Sequence, residues 1–521
     1  MINIGRRREC FFDDFLIDNE KTTAKQQLHT PVKREEVFRC DEPWEGDNSA
    51  FFNFFFDDQY SGYDGSHPEG VYRLYYVGRR SEYSYNPNNK DAQKGVVACY
   101  AESADGIHWV KPSLKLFEWD GNYDNNIILD KTIHPDIGAF MVFRDDNPLC
   151  PADEKYKGIG AFDEPLKPNG EKGEFRLFSF LSADGIKFRL GNMLTNKGYF
   201  DSLNVVYWDD KAELYRGFVR GVHSEGSDPS SVTGGQENWD KVRGIIKGKE
   251  KDSAFRIIRD VLYIESKDFK TWSDPVWLKY TDNEEIQMYS NCILPYFRAP
   301  HMYVGFPARY FERTEWTPNY DQLTGREQRM ERMEEGKRGG LAITDCGFMT
   351  SRDGVHFQRF GNAFMRPGME NSRNWVYGDG FLTRGMAVTP SMYEGEEKEI
   401  SLYMHENSLM GTPVQLFRHT IRLDGFVSLR ATNKEEIIVT KPFVYDGNQL
   451  YANISTSARG YFYFTLVSET GERFESYEIF GDATEKKISF QEMCVSKLSG
   501  QCVTLEIRLF DADIYGIRFG D

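Results

Sequence analysis

Ser103-Ala-Asp105-Gly106-Ile107-His108-Trp109 recurs as Ser182-Ala-Asp184-Gly185-Ile186-Lys187-Phe188 and as Ser351-Arg-Asp353-Gly354-Val355-His356-Phe357. A variant copy, Ser266-Lys-Asp268-Phe269-Lys270-Thr271-Trp272, lies between them, and a degenerate one, Leu423-Asp424-Gly425-Phe426-Val427, follows. The five aspartates are separated by 79, 84, 85 and 71 residues. Asp-Gly ahead of an aromatic is hairpin-turn chemistry, because glycine accepts the positive φ that such turns require. Repetition at a fixed period sets architecture before any local feature does.

Working outward from each turn, an alternating tyrosine-bearing strand lies upstream: Tyr72–Tyr76, Lys155–Ile159, Leu214–Phe218, His301–Gly305 and Ile400–Met404. Further upstream are five apolar runs, Ala50–Phe56, Gly138–Phe143, Leu203–Trp208, Cys292–Tyr296 and Met386–Val388. Each unit reads as about four strands, the content of a propeller blade. Five units give an all-β, five-bladed β-propeller over residues 1–438; a tandem of β-sandwiches is the competing architecture. Phe11–Ile17 reads as a strand that joins the last blade and closes the ring. Residues 439–521, with runs such as Gly460–Val467 and Val503–Leu509, read as a small C-terminal β-sandwich. Gln322–Lys337 is the helix-like stretch, charged and expected to be a solvated excursion from the fourth blade.

Composition narrows the function classes. The 521 residues carry a net charge of −17, which repels phosphate backbones and anionic lipid, so nucleic-acid and membrane partners are disfavoured. No window approaches roughly 18 apolar residues, and the start, MINIGRRREC, has no leader-like apolar run, so the expected location is cytoplasmic. Eight cysteines without a CxxC read as thiols, and nine histidines without a ligand-like spacing argue against a catalytic zinc. Aromatic residues reach 15%, an excess that suits strands and also sugar-stacking surfaces.

The turn repeats, together with Phe200–Asn204, Pro295–Pro300 and Thr383–Thr389, resemble the clan of glycoside hydrolase families 32, 43, 62 and 68, in a family-32-like glycosidase branch with a C-terminal β-sandwich. The likeness spans Phe11 to Phe519. It implies a five-bladed propeller whose inner strands supply carboxylates from the first three blades. The nucleophile motif W-M-N-D-P-N-G and clear R-D-P and E-C motifs are missing. A channel calcium is compatible with the clan, but no residue argues for it, and no cofactor is expected.

Glycoside hydrolysis needs two carboxyl groups across the scissile bond. Acids precede the apolar runs in four units: Glu45 and Asp47 after Trp44, Asp136 after His134, Asp201 ahead of Asn204, and Glu285 four residues before Tyr289. Asp201, between Phe200 and a strand, is the leading candidate, with desolvation expected to raise its pKa toward that of a general acid. Trp44, His134, Asn204, Tyr289, Arg309, Trp375 and Arg384 are candidates for sugar binding, and Asp379 shares the segment of Trp375. Asp145-Asp146-Asn147-Pro148 reads as turn chemistry.

Three functions fit these residues. The first is a glycoside hydrolase acting on an oligosaccharide of furanoside or related type. The second is an inverting glycoside phosphorylase using Arg298, Arg309, Arg366 and Arg384 for phosphate. The third is a non-catalytic carbohydrate-binding propeller. The sequence gives neither the sugar nor the oligomeric state.

Overall fold

A computed structural model describes residues 1–79, 96–130, 132, 137–163, 175–226, 257–282, 284–335, 337–392, 398–492 and 494–521. The repeat becomes a succession of antiparallel sheets. The first contains Ala50–Asp57, Val71–Gly78, Val97–Ser103 and Ile127–Leu129 in that order. The second contains Phe140–Arg144, Tyr156–Asp163, Phe175–Ser182 and Arg189–Thr195. The third contains Val205–Asp209, Leu214–Ser224, Ile257–Ser266 and Val276–Trp277.

The fourth sheet is Leu294–Tyr296, Ala299–Gly305, Met349–Ser351 and His356–Arg359, with Lys279–Tyr280 added in parallel at its edge. A small three-stranded sheet, Met288–Ser290, Ala308–Glu312 and Ala342–Cys346, accompanies it. The fifth sheet is Ala387–Thr389, Glu399–Glu406 and Gln415–Arg422, completed by Val32–Arg39 from the N-terminal region.

The recurring Ser and Asp build one turn four times. Each Ser hydroxyl lies 2.9–3.2 Å from its Asp Oδ1, and that oxygen accepts two backbone N–H groups at 2.8 Å. This is an Asx-type turn, in which side chain replaces backbone as the acceptor. Gly106, Gly185 and Gly354 sit there at φ of 73°, 72° and 80°; in the variant copy Phe269 occupies the same left-handed region at 61°.

Buried acids then join sheet to sheet. At the end of each of the first three inner strands an aspartate meets a cation of its own sheet and a tyrosine of the next. Asp57 binds Arg73 at 3.1 Å and the Tyr156 hydroxyl at 2.7 Å. Asp145 binds Lys157 at 2.5 Å and the Tyr215 hydroxyl at 2.8 Å. Asp209 binds Arg216 at 2.6 Å and the Tyr303 hydroxyl. Asp145 is therefore more than a turn residue: it is fully enclosed and ion-paired.

Each sheet also holds the turn of its successor. Arg73 and Tyr75 donate to the carbonyls of Asp184 and Gly185, and Lys157 lies 5.1 Å from the Phe269 ring. Arg216 donates to the Asp353 carbonyl, and the Tyr296 hydroxyl donates to Asp424 Oδ1 at 2.6 Å. Tyr403 of the fifth sheet donates to the Gly106 carbonyl of the first, so the succession returns to its start. This closed order of sheets defines a propeller.

Two expectations change here. Phe11–Leu16 forms turns and bends, because Asp13 Oδ1 accepts the Phe15 N–H and so offers the backbone a local partner in place of a ladder, and Ile17 makes an isolated bridge to Thr440 of the C-terminal unit. The strand that completes the fifth sheet is Val32–Arg39, an edge strand whose largely exposed face gives it a polar sequence.

The C-terminal unit begins earlier than residue 439. Val427–Ala431 already belongs to its ten-stranded sheet, together with Ile2–Gly5, Glu9–Cys10 and Lys25–Leu28 from the N-terminus. Two long strands, Gln449–Ser468 and Cys502–Gly520, form its spine and change register between Thr456 and Tyr461. The unit has its own core, in which Phe11, Leu16 and Ile17 pack with residues such as Phe443, Phe464 and Ile507. Arg298 ties the ring to it through Asp424 at 3.0 Å and Glu485 at 3.0 Å.

The helical excursion is Pro318–Gln322, Arg326–Glu335 and Lys337–Leu341. It is less solvated than its charge suggests, since Arg329 is 1% exposed and donates to the Trp375 carbonyl. Free thiols account for all eight cysteines.

Burial pushes the Asp57 carboxyl upward, but the Tyr156 hydroxyl and the Arg73 and Arg144 guanidiniums outweigh it and hold the pKa below the usual carboxylate range. A depressed carboxyl stabilises the fold above its unfolded pKa, and that contribution fades as pH falls through the folded value. Asp57→Asn leaves the enclosed Arg73 without its counter-charge. It is expected to cost about 3 kcal/mol at neutral pH, with the difference from the parent shrinking toward pH 3. Denaturant unfolding at the two pH values measures this.

Candidate functional site at the mouth of the ring

In each antiparallel sheet the first strand runs away from one end of the ring and the second returns to it. Connections from second to third strand therefore share an end with the segments that lead into the first strands, while the Ser-Asp turns occupy the other end. Acids before the inner strands gather at the first end, the mouth. His134 and Asp136 lie outside the described residues.

Asp201 does reach the mouth, and its environment differs from the expected one. Its side chain is 62% exposed, so it is solvated where desolvation was anticipated. Asp201 Oδ2 lies 3.4 Å from Nη2 of Arg220. Arg220 is itself buried, 4.8 Å from the Tyr289 ring centre. Tyr289 belongs to an aromatic cluster with Phe381 at 5.3 Å, Tyr377 at 5.6 Å and Tyr310 at 6.3 Å between ring centres, in which Tyr289, Tyr310 and Phe381 are buried and Tyr377 is half-buried. Arg259 covers Tyr310 at 4.6 Å and donates to Gln287 at 2.7 Å. Ser202 donates to the Tyr289 carbonyl, tying the Asp201 segment to this cluster.

The other acids divide. Asp47 is buried where the first and fifth sheets meet: its Oδ2 accepts the Gly411 N–H at 3.2 Å and its carbonyl accepts the Leu409 N–H. Glu45 points into the core, where it accepts the Tyr76 hydroxyl and pairs with Lys111 at 2.7 Å. Burial raises its carboxyl against the opposing pull of Lys111. Glu45 is thus a structural acid, held by a cation 66 residues away in sequence. Glu285 is exposed and caps the Gly226 N–H at 2.9 Å.

Several expected sugar contacts are structural as well. Trp44 is buried and donates to Asn126 at 2.8 Å. Asn204 shapes the turn into its strand by bonding the Phe200 and Ser202 carbonyls and the Arg220 N–H. Arg309 makes a two-pronged pair with Asp345 at 2.7 Å. Trp375 packs against the helical excursion, with Tyr320 and Leu341. Arg384 lies below the mouth, bridged to Asn53 in the middle of the first sheet's inner strand. Of the expected set, Asp201 and Tyr289 stand together at the open end.

Asp379 is the acid whose chemistry is most altered. It is 1% exposed; one carboxyl oxygen accepts the Ser408 N–H at 3.0 Å and the other has no partner. Burial pushes its pKa well above the ordinary value. Gly378 and Gly380, at φ of 99° and 75°, form the turn that holds it. The alternating pattern of Leu214–Ser224 places Arg216 and Arg220 on one face, yet nothing in the sequence sends Arg220 to a tyrosine 69 positions on. Among the described residues no group of three or more His, Cys, Asp or Glu side chains is arranged to hold a metal.

No protein-family model matches the chain, and no curated protein matches it. Solved structures do. An N-acetylgalactosamine deacetylase from F. plautii, in complex with blood group B trisaccharide, is 11% identical over 76% of this chain and 94% of its own, with a TM-score of 0.40. A family 43 arabinoxylan arabinofuranohydrolase from Bacillus subtilis is 11% identical over 94% and 99%, with a TM-score of 0.37. A family 32 β-fructofuranosidase from Bombyx mori is 8% identical over 95% of each chain, with a TM-score of 0.38. Likeness at this distance carries no assignment of activity, and the architecture rests on the strand pairing and clasps above.

A carboxyl with a raised folded pKa stabilises the protein while protonated, and that advantage is lost as pH climbs from the unfolded value toward the folded one. Asp379→Asn keeps the shape and removes the charge. It is expected to raise the melting midpoint by roughly 1–2 °C near pH 7.5, with the gap closing below about pH 4. A melting series across pH checks the sign.

Proposed function

We propose that the five sheets are the blades of one five-bladed propeller and that its mouth hydrolyses glycosidic bonds of an oligosaccharide of furanoside or related type. The observation that carries this reading is Asp201: an open carboxylate beside a buried guanidinium, at the edge of a cluster of four aromatic rings of which Tyr377 is half-buried and the other three are buried. Aromatic faces take the apolar faces of sugar rings, and a carboxylate within reach of the bound sugar supplies one of the two groups that glycoside hydrolysis uses. Asp47, which precedes the first inner strand as Asp201 precedes the third, is the proposed second carboxyl, although it is buried and its Oδ2 accepts the Gly411 N–H.

Side-chain placement gives the phosphorylase alternative less support than the hydrolase. Arg298 is committed to Asp424 and Glu485 and Arg309 to Asp345, while Arg366 is exposed, so of the four arginines only the buried Arg384 is left uncommitted among the described residues.

Asp201→Asn tests the proposal against a panel of arabino-, fructo- and xylo-oligosaccharides. The variant is expected to lose at least about a hundredfold in kcat, the scale of a positioned acid or base, with its melting midpoint nearly unchanged because the side chain is exposed. Undiminished turnover would remove Asp201 from the chemistry. Binding without turnover in the parent would favour a non-catalytic sugar-binding ring.

A further inference from the structure

Arg384 is a buried cation with no carboxylate partner among the described residues. It precedes the fifth sheet's inner strand, and its backbone is clamped to the first sheet: its N–H donates to the Phe52 carbonyl at 3.0 Å and its carbonyl accepts the Phe54 N–H at 2.8 Å. Its guanidinium carbon lies 5.6 Å from the Tyr207 ring centre on the third sheet's inner strand. Cys292, beside the fourth sheet, donates to the Leu382 carbonyl at 3.3 Å. The side chain thus reaches from the backbone clamp on the first sheet to the inner strand of the third.

Only 6% of Arg384 is exposed, and its Nε has no hydrogen-bond partner. No carboxylate among the described residues lies within ion-pair range. The neighbouring Tyr207 hydroxyl and Thr383 hydroxyl are likewise buried without partners. Burial keeps Tyr207 and Cys292 neutral by raising both pKa values, Cys292 to about 12, so neither supplies the missing negative charge. A buried guanidinium without a counter-charge costs several kcal/mol, and a native fold does not leave that cost standing. At the ends of the first three inner strands the ring gives buried cations acids: Arg73 has Asp57, Lys157 has Asp145 and Arg216 has Asp209.

We propose that Arg384 holds a small inorganic anion of the halide class on the axis of the ring, with the Tyr207 hydroxyl as a second donor. The guanidinium offers only donors, and the phenol has its proton to give, which fits an acceptor ligand. One guanidinium balances one negative charge. The depth, at the level of Asn53 and Tyr207 within their strands, places the ion under the sugar-binding mouth, so the site stands independently of the glycosidase reading.

Thermal melts of the full chain at constant ionic strength, exchanging gluconate for chloride, test this. The parent's midpoint is expected to rise with the logarithm of chloride concentration, as it does for a ligand of the native state alone. Tyr207→Phe is expected to weaken the apparent chloride affinity roughly fivefold, and Arg384→Met to abolish the response. Should Arg384→Met fail to fold, a bromide-soaked crystal of the parent gives the same answer through an anomalous peak at Arg384 Nε. A midpoint indifferent to chloride, stabilisation by phosphate and not by halide, or bromide absent from Arg384 would each overturn the proposal.

Discussion

The structure depends on how buried charge is shared between neighbouring sheets. Asp57, Asp145 and Asp209 each take a cation from their own sheet and a tyrosine hydroxyl from the next. An aspartate in such a place would be costly alone, and its partners would be costly without it. The three groups satisfy one another only when two sheets stand at the right separation and rotation, so the network specifies geometry as much as it stabilises. The same strands then hold the Ser-Asp turn of the following sheet, and Tyr403 brings the series back to the first.

That division of labour explains the aromatic excess. Much of it is structural: Tyr156, Tyr215 and Tyr303 serve the charge network, Tyr75, Tyr296 and Tyr403 serve the turns, and rings such as Phe348 and Phe426 stack in the core at 5.3 Å. A smaller set, Tyr289, Tyr310, Tyr377 and Phe381, forms the cluster at the mouth. With the rigid contacts placed at the turn end and within the ring, the mouth is left to connections that differ from sheet to sheet, the usual arrangement of a scaffold with a site built on its loops.

The repeat was legible because Ser-x-Asp-Gly turns are local: one side chain satisfies its own backbone, and spacing alone gives the period. The closing strand was not, because Val32–Arg39 is an edge strand with an exposed face and reads as polar coil. Asp201 is legible as a candidate because it precedes a strand whose direction the repeat fixes. Its solvation, and the burial of Glu45 beside Lys111, were not accessible, because both depend on partners distant in sequence. The same reason hid the surroundings of Arg384, whose side chain meets the third sheet.

The central claim, that the sheets form one closed series, is tested most directly by hydrogen exchange in Tyr403→Phe. This change removes a single hydroxyl from the fifth sheet and its bond to Gly106 in the first. The account requires faster exchange in the Val97–Ser103 strand and the turn after it, in a sheet nearly 300 residues from the substitution. Exchange confined to the neighbourhood of residue 403 in the fifth sheet, with the first sheet's protection unchanged, would contradict it.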